Sequence, residues 1–217
     1  NNFIEAKNLI DKIKDQIFGI KIGYEFFLNF GIDGYKAIKE KKSKIFLDLK
    51  LHDIPNTVRS GMSIINKLNP YFTSIHISGG DKMIEEAVKN KKRTKILGVS
   101  VLTSLDKNQI KKYYRRKNAE DLIKDYVKNA IKNKIDGFIC SPHEIKVVRK
   151  IAGKDFIIVT PGIRPKYYKS KDDQKRFMSP EEAISLGADY IVIGRPITKS
   201  LNPLEEIKKI NFEIAKY

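Results

Sequence analysis

Two aspartates and a lysine occur within Asp48-Leu-Lys50-Leu-His52-Asp53, and the segment that carries them, Ile45 to Leu51, is otherwise built from Ile, Phe and Leu. Such a run reads as a strand buried on both faces, and strand side chains alternate, so Asp48 and Lys50 are predicted to project to the same side. Asp53 falls just past the strand end, where Pro55 prevents further pairing. An unpaired buried charge costs several kcal/mol, and even a buried pair is often no more stable than apolar residues of the same size. A strand that carries this cost is expected to use it, with Lys50 as a fixed cation held by carboxylates. The same three residues could instead form an ion cluster that only ties a strand end to its neighbour.

The elements that must position these groups alternate along the chain. Strand candidates run Gly19 to Gly23, Lys44 to Leu51, Phe72 to Ile77, Ile96 to Leu102, Gly137 to Ser141, Phe156 to Thr160 and Tyr190 to Gly194. Helical patterns lie between them. One is Asp121 to Lys134, with Leu122, Ile123, Tyr126, Val127, Ala130 and Ile131 on one face. Repeated strand and helix units of this kind build a parallel sheet. Seven strands close a barrel poorly, whereas eight give the (β/α)8 TIM barrel in roughly this length. The expectation is therefore a single (β/α)8-barrel domain over residues 1–217, with a first strand missing ahead of Asn1. An open doubly wound sheet is the alternative.

In a barrel, chemistry gathers at the C-terminal ends of the strands. Lys21, Asp48, Lys50, His76, Thr103, the run Thr160-Pro161-Gly162-Ile163-Arg164 and the pair Gly194-Arg195 all occupy such ends. Gly194-Arg195 after the last strand suits a phosphate, because a helix N-terminus there offers backbone N–H groups. The polar stretch from Arg164 to Ser179 has the length of a closing loop.

The formal charge of +17 raises the question of nucleic acid. The lysines are spread along the whole chain, with no zinc-finger spacing, no aromatic RNA-binding signature and no basic arm, so nucleic acid is not the expected partner. A positive field would still attract a small phosphorylated substrate. Cys140 is the one cysteine, which excludes an internal disulfide framework and fits a reducing, cytoplasmic setting. No apolar run approaches the roughly 18 residues of a membrane span. Cys140 and His143 have a spacing open to metal, but two further ligands are wanting, and no metal site is expected. His52 is expected to bond backbone, and His76 to pack or hydrogen-bond at its strand end. Arg164 is a candidate partner for an acid near the loop.

Taken in order, these segments resemble the orotidine 5'-monophosphate decarboxylase family over nearly the whole chain. The resemblance rests on Lys21-Ile-Gly23, Phe46-Leu-Asp48-Leu-Lys50-Leu-His52-Asp53-Ile-Pro55-Asn-Thr57, Leu102-Thr-Ser104, Cys140-Ser-Pro142, Thr160-Pro-Gly-Ile-Arg164, Asp173-Gln174-Lys175-Arg176 and Gly194-Arg195-Pro196-Ile197. It implies a cofactor-independent, cytoplasmic homodimer converting orotidine 5'-phosphate to UMP and CO2 in pyrimidine biosynthesis. Lys21, Asp48 and Lys50 would form the catalytic charge row, completed by Asp53 from the partner subunit. Ile54 and Thr57 would also cross the interface, Thr103 and Pro161 would contact the base, and Gln174, Gly194 and Arg195 would hold the phosphate. The family's ribose-binding aspartate on its first strand would fall before Asn1, and Lys166-Tyr167-Tyr168-Lys169 is bulkier than is usual in its lid.

The chemistry of the residues agrees with that implication. Loss of CO2 from an sp² ring carbon leaves a carbanion without an adjacent electron sink, and a fixed cation beside it is the most direct stabiliser. Two other readings use the same residues. One is a 3-keto sugar-phosphate decarboxylase or aldolase, whose acids would bind Mg²⁺. The other is a non-catalytic nucleotide-phosphate binding protein, which would have little use for a buried charge row.

Overall fold

A computed structural model of the chain describes residues 2–41, 43–102, 105–116, 118–168 and 177–217. Among these residues, seven strands form one sheet: β1 (Gly19–Ile22), β2 (Lys44–Leu51), β3 (Phe72–His76), β4 (Lys95–Val99), β5 (Gly137–Ile139), β6 (Ile157–Thr160) and β7 (Tyr190–Ile191). Each pairs in parallel with the next, in the order of the chain. The helices are α1 (Phe3–Ile13), α2 (Tyr24–Lys39), α3 (Pro55–Leu68), α4 (Gly80–Asn90), α5 (Lys107–Tyr114), α6 (Ala119–Lys132), α7 (Ile145–Ala152), α8 (Pro180–Ser185), α9 (Arg195–Thr198) and α10 (Pro203–Ile214).

The strands are apolar on both faces because each face meets its own core. On β2, Ile45 and Leu47 pack outward with Tyr35 and Ile38 of α2 and Met62 and Ile65 of α3. Phe46, between them, turns inward to Phe72, Leu97, Val99, Ile139 and Val159. That inner cluster decides between barrel and open sheet. Phe72 on β3 and Tyr190 on β7 lie 5.2 Å apart, and Phe18, just ahead of β1, lies 4.6 Å from Tyr190. In a flat sheet, four strand spacings would put β3 and β7 about 19 Å apart. The sheet is curled, its edges β1 and β7 brought near each other around an apolar lumen.

Local sequence explains the element ends. Pro55 opens α3, where its missing N–H has no helical partner to lose, and Asn69 ends it in a left-handed conformation at φ 50°. Between them Val58, Met62, Ile65 and Leu68 recur at helical spacing and are buried. α6 begins two residues before the expected Asp121, because the Asn118 side chain accepts from the Asp121 N–H at 3.0 Å. It ends before Lys134, whose φ of 58° cannot continue a helix.

Candidate active site

Asp48 continues the inward face of Phe46 and sits where the apolar lumen gives way to charge. It is 6 % exposed and surrounded by donors. Lys50 Nζ lies 2.9 Å from both Oδ1 and Oδ2 of Asp48, and Lys21 Nζ, on β1, lies 3.2 Å from Oδ2. The Ser74 hydroxyl, on β3, donates to Asp48 Oδ1 at 2.8 Å. One carboxylate thus joins two ammonium groups from adjacent strands, and the pair of cations remains partly open to solvent, with side-chain exposures of 34 % for Lys21 and 26 % for Lys50.

The expected alternation does not deliver Lys50 to this place unaided. The register between β2 and β3 runs Leu47 to Thr73 and then Leu51 to Ile75, so four residues of β2 cover the length of two on β3. The slack is taken up by a bulge in which Lys50 adopts φ 45°. Asp48 and Lys50 do meet, but through a kinked backbone rather than a regular strand.

Burial pushes the Asp48 carboxyl up, and this is its largest single influence. The charges of Lys21 and Lys50, with hydrogen bonds from Lys50 and Ser74, outweigh it and hold the group below the usual carboxylate range. Asp48 is accordingly a carboxylate at neutral pH. His76, at the end of β3, is pushed down to about 4, first by burial and then by His52 and Lys50, with Asp48 opposing. It is therefore a neutral imidazole. Its ring lies 5.1 Å from that of His52. His52 Nε2 stands 3.5 Å from the Ser78 hydroxyl, so its polar neighbour is a side chain where backbone was expected.

Asp53 does not join the row within its own chain. It is exposed, and its carboxylate accepts from the Ile54 N–H at 2.6 Å. Ile54 is 67 % exposed and Thr57, in the first turn of α3, is exposed too. Pro161 is half-buried after β6, and Gly162 beyond it takes φ 79°. Gly194 is exposed and caps the single-turn α9, accepting from the N–H groups of Ile197 and Thr198, while Arg195 is half-buried. Thr103 and Gln174 lie outside the described residues. Arg164 is 8 % exposed, with Nη1 donating to the Ile163 carbonyl at 2.8 Å and the guanidinium 5.9 Å from the Tyr168 ring. Cys140 is buried, which pushes its thiol well up and makes it an unreactive core residue. Among the described residues, no three His, Cys, Asp or Glu side chains converge as a metal-holding group.

Comparison with known proteins places this geometry. Residues 1–210 match the family model described as "Orotidine 5'-phosphate decarboxylase / HUMPS family". The chain belongs to that family. It is 44 % identical over 209 residues to the orotidine 5'-phosphate decarboxylase of Aquifex aeolicus, covering 94 % of this chain and 89 % of that one. Identity to the enzyme of the same name from the Wolbachia of Brugia malayi is 43 % over 208 residues, covering 95 % and 92 %. Among solved structures, the orotidine 5'-phosphate decarboxylase of Lactobacillus acidophilus superposes with a TM-score of 0.83 at 34 % identity, covering 97 % of this chain and 93 % of that one. An uncharacterized conserved protein from Geobacillus kaustophilus superposes with a TM-score of 0.84 at 26 % identity, covering 98 % and 95 %. The fold is thus the family's (β/α)8 barrel, with the seven described strands as its curled wall.

Within this family member, the side chain that sequence reasoning missed is Ser74. Its signal was faint: a small hydroxyl in the apolar run Phe72 to Ile77, two residues before His76. The same alternation that puts Asp48 inside would have turned attention to it once β2 and β3 were known to be neighbours.

Proposed function

We propose that this protein decarboxylates orotidine 5'-phosphate to UMP and CO2 without a cofactor, as a step of pyrimidine biosynthesis in the cytoplasm. The observation that carries the reading is the Lys50 ammonium, fixed 2.9 Å from both Asp48 oxygens beside Lys21, in an otherwise apolar lumen. In the proposed step, the bond between C6 and the carboxylate carbon breaks, and its electron pair stays on C6. The Lys50 charge stabilises that pair, and Lys50 then gives a proton to C6, later regaining one from solvent. Asp48 faces the departing carboxylate and keeps Lys50 charged and oriented. At an effective dielectric near 20, opposite charges about 4 Å apart attract by about 4 kcal/mol, enough for that purpose.

The rest of the site follows the same reading. The protein works as a homodimer, in which Asp53, Ile54 and Thr57 of each subunit complete the site of the other. Their outward exposure supports this, since apolar Ile54 has no cover in its own chain. Thr103 and Pro161 contact the base. Gln174, Gly194 and Arg195 hold the 5'-phosphate, whose binding energy positions the ring far from the bond that breaks. The Mg²⁺-dependent sugar-phosphate lyase reading is less well supported by the donor set. Both Asp48 oxygens already face ammonium groups, which a divalent cation would have to displace.

The test is ultraviolet-monitored decarboxylation of orotidine 5'-phosphate with EDTA present and Lys50→Ala as control. Turnover that survives EDTA and disappears in the variant is expected. A folded dimer without turnover, or turnover abolished by EDTA and restored by Mg²⁺, would move the assignment to the metal-dependent lyase.

A further inference from the structure

Lys50 stands on an unusual backbone. A φ of 45° is uncommon for any residue but glycine and persists only where the surroundings impose it. The bulge also removes the peptide between Leu49 and Lys50 from the regular ladder with β3, so its N–H and C=O need partners elsewhere. Both find side chains. The Lys50 N–H donates to the Ser74 hydroxyl oxygen at 2.9 Å, and the Leu49 carbonyl accepts from the Tyr24 hydroxyl at 2.9 Å. These are the two ends of one peptide plane, gripped from β3 on one side and from the first turn of α2 on the other.

The Ser74 hydroxyl does more than replace a ladder bond. It accepts from the Lys50 N–H and donates its own proton to Asp48 Oδ1, so a single fully buried oxygen ties the main chain of Lys50 to the carboxylate that its ammonium contacts. Tyr24 closes the other side, and the centre of its ring lies 6.0 Å from Lys50 Nζ.

We infer that Ser74 and Tyr24 are positioning residues that clamp the Leu49–Lys50 peptide and so fix where the Lys50 ammonium stands. This rests on the proposed decarboxylation, because the clamp matters to turnover only if Lys50 acts on substrate. Neither side chain is required to touch substrate for the effect. Removing either hydroxyl frees the peptide plane to rotate, and the ammonium moves with it, while the groups proposed to bind base and phosphate stay in place. The loss therefore falls on kcat and spares KM.

Steady-state kinetics on the full-length protein test this, with the unmutated protein assayed in parallel. Ser74→Ala is expected to lower kcat by about 10- to 100-fold, the range for a hydrogen bond to a charged group, with KM within about threefold. Ser74→Thr keeps the hydroxyl and is expected to recover about tenfold or more of an Ala variant's loss. Tyr24→Phe removes one oxygen at an exposed ring and is expected to lower kcat by about three- to tenfold with the same split. The double variant should lose less than the product of the two, because both act on one peptide. The clamp is overturned if Ser74→Ala keeps kcat within twofold, if kcat and KM deteriorate together, or if folded Ser74→Thr recovers nothing. Should Ser74→Ala not fold, Tyr24→Phe decides by the same split. An inactive unmutated protein would instead refute the decarboxylase reading, so the two failures are distinguishable.

Discussion

Strand β2 carries a lysine at each end, and the two are used in opposite ways. Lys44, at the N-terminal end, is exposed, with its ammonium 4.4 Å from the centre of the Phe18 ring and 4.8 Å from that of Tyr71. Lys50, at the C-terminal end, has a side chain 26 % exposed and lies against the buried carboxylate of Asp48. Between them the lumen is filled by Phe46, Phe72, Leu97 and Val99. At the aromatic end the charge stays in water and lends a few tenths of a kcal/mol to about one by resting on ring faces. At the other end the protein buries a carboxylate, supplies it with three donors and bends the strand to bring Lys50 to it. The same residue type is a surface ornament of a plugged barrel floor in one place and the centre of an arranged site in the other.

The sharpest way to break this contrast is to change both lysines alike. Lys50→Ala is expected to lower kcat at least about 10³-fold, since it removes the proposed stabilising cation and proton donor together. Lys50→Arg should rescue little, because guanidinium keeps the charge but does not release a proton near neutral pH. Lys44→Arg should leave kcat unchanged, as guanidinium stacks on aromatic faces at least as well as ammonium does. Steady-state assays of the three variants check the set, and an active Lys50→Arg would remove proton donation from the role of Lys50.

A second experiment separates the parts of the polar end. If Asp53 acts across the proposed dimer interface, a heterodimer of a Lys50→Ala subunit with an Asp53→Ala subunit holds one intact site and one doubly damaged one. Purified heterodimers should regain about half the activity of the unmutated dimer, from two nearly inactive variant homodimers. Absence of recovery in proven heterodimers would place Asp53 with its own Lys50, against its outward position here.

Acid should also strain the polar end first. His76 titrates at about 4 in the folded chain against its ordinary 6.5, so between these values the unfolded chain binds more protons and stability rises with pH. Lowering the pH through that window is expected to remove up to about 3 kcal/mol. Asp48 adds to the loss only further down, because its contribution is present above the ordinary carboxylate value and disappears as pH falls through its lowered one. His76→Gln should flatten the dependence between pH 6.5 and 4, measured as urea midpoints across the range. An unchanged slope would assign the acid sensitivity to other groups.

The sequence was most legible where chemistry and local pattern coincide. All seven strands read correctly as types, β2 to β6 because both of their faces are largely buried, and β2 matches the expected Lys44 to Leu51 without adjustment. The expected ends overshoot in β4 and β5, because Val101, Cys140 and Ser141 stay buried after the chain has left the ladder, and in β7, because half-buried Val192 and Ile193 prolong the apolar run beyond it. Asp48 and Lys50 were legible from residue type as charges in an apolar run, Lys21 from its place on a strand and from the family resemblance, and the structure brings the three together. The bulge was not, since no glycine marks the left-handed Lys50 and only the register with β3 reveals it. Ser74 and Tyr24 were illegible for a related reason: a lone hydroxyl gains meaning only from the peptide it faces, which lies 24 or 25 residues away in the chain.

The smallest effect is the one that tests whether the aromatic end is as passive as the comparison requires. Lys44→Met keeps most of the aliphatic stem against Phe18 and Tyr71 but removes the charge. Ring packing among Phe18, Tyr71, Phe72 and Tyr190, with centroids 4.6 to 6.4 Å apart, does not depend on that charge. The loss should therefore be limited to the cation–π contribution of about 0.5–1 kcal/mol, read as a small fall in urea midpoint with kcat and KM unchanged. Because the charge is exposed, raising the salt concentration should narrow the difference between the two proteins. A larger loss, or any fall in kcat, would mean that the floor of the barrel communicates with its charged rim through the Phe46 and Phe72 layer, and the division between the two ends of β2 would no longer hold.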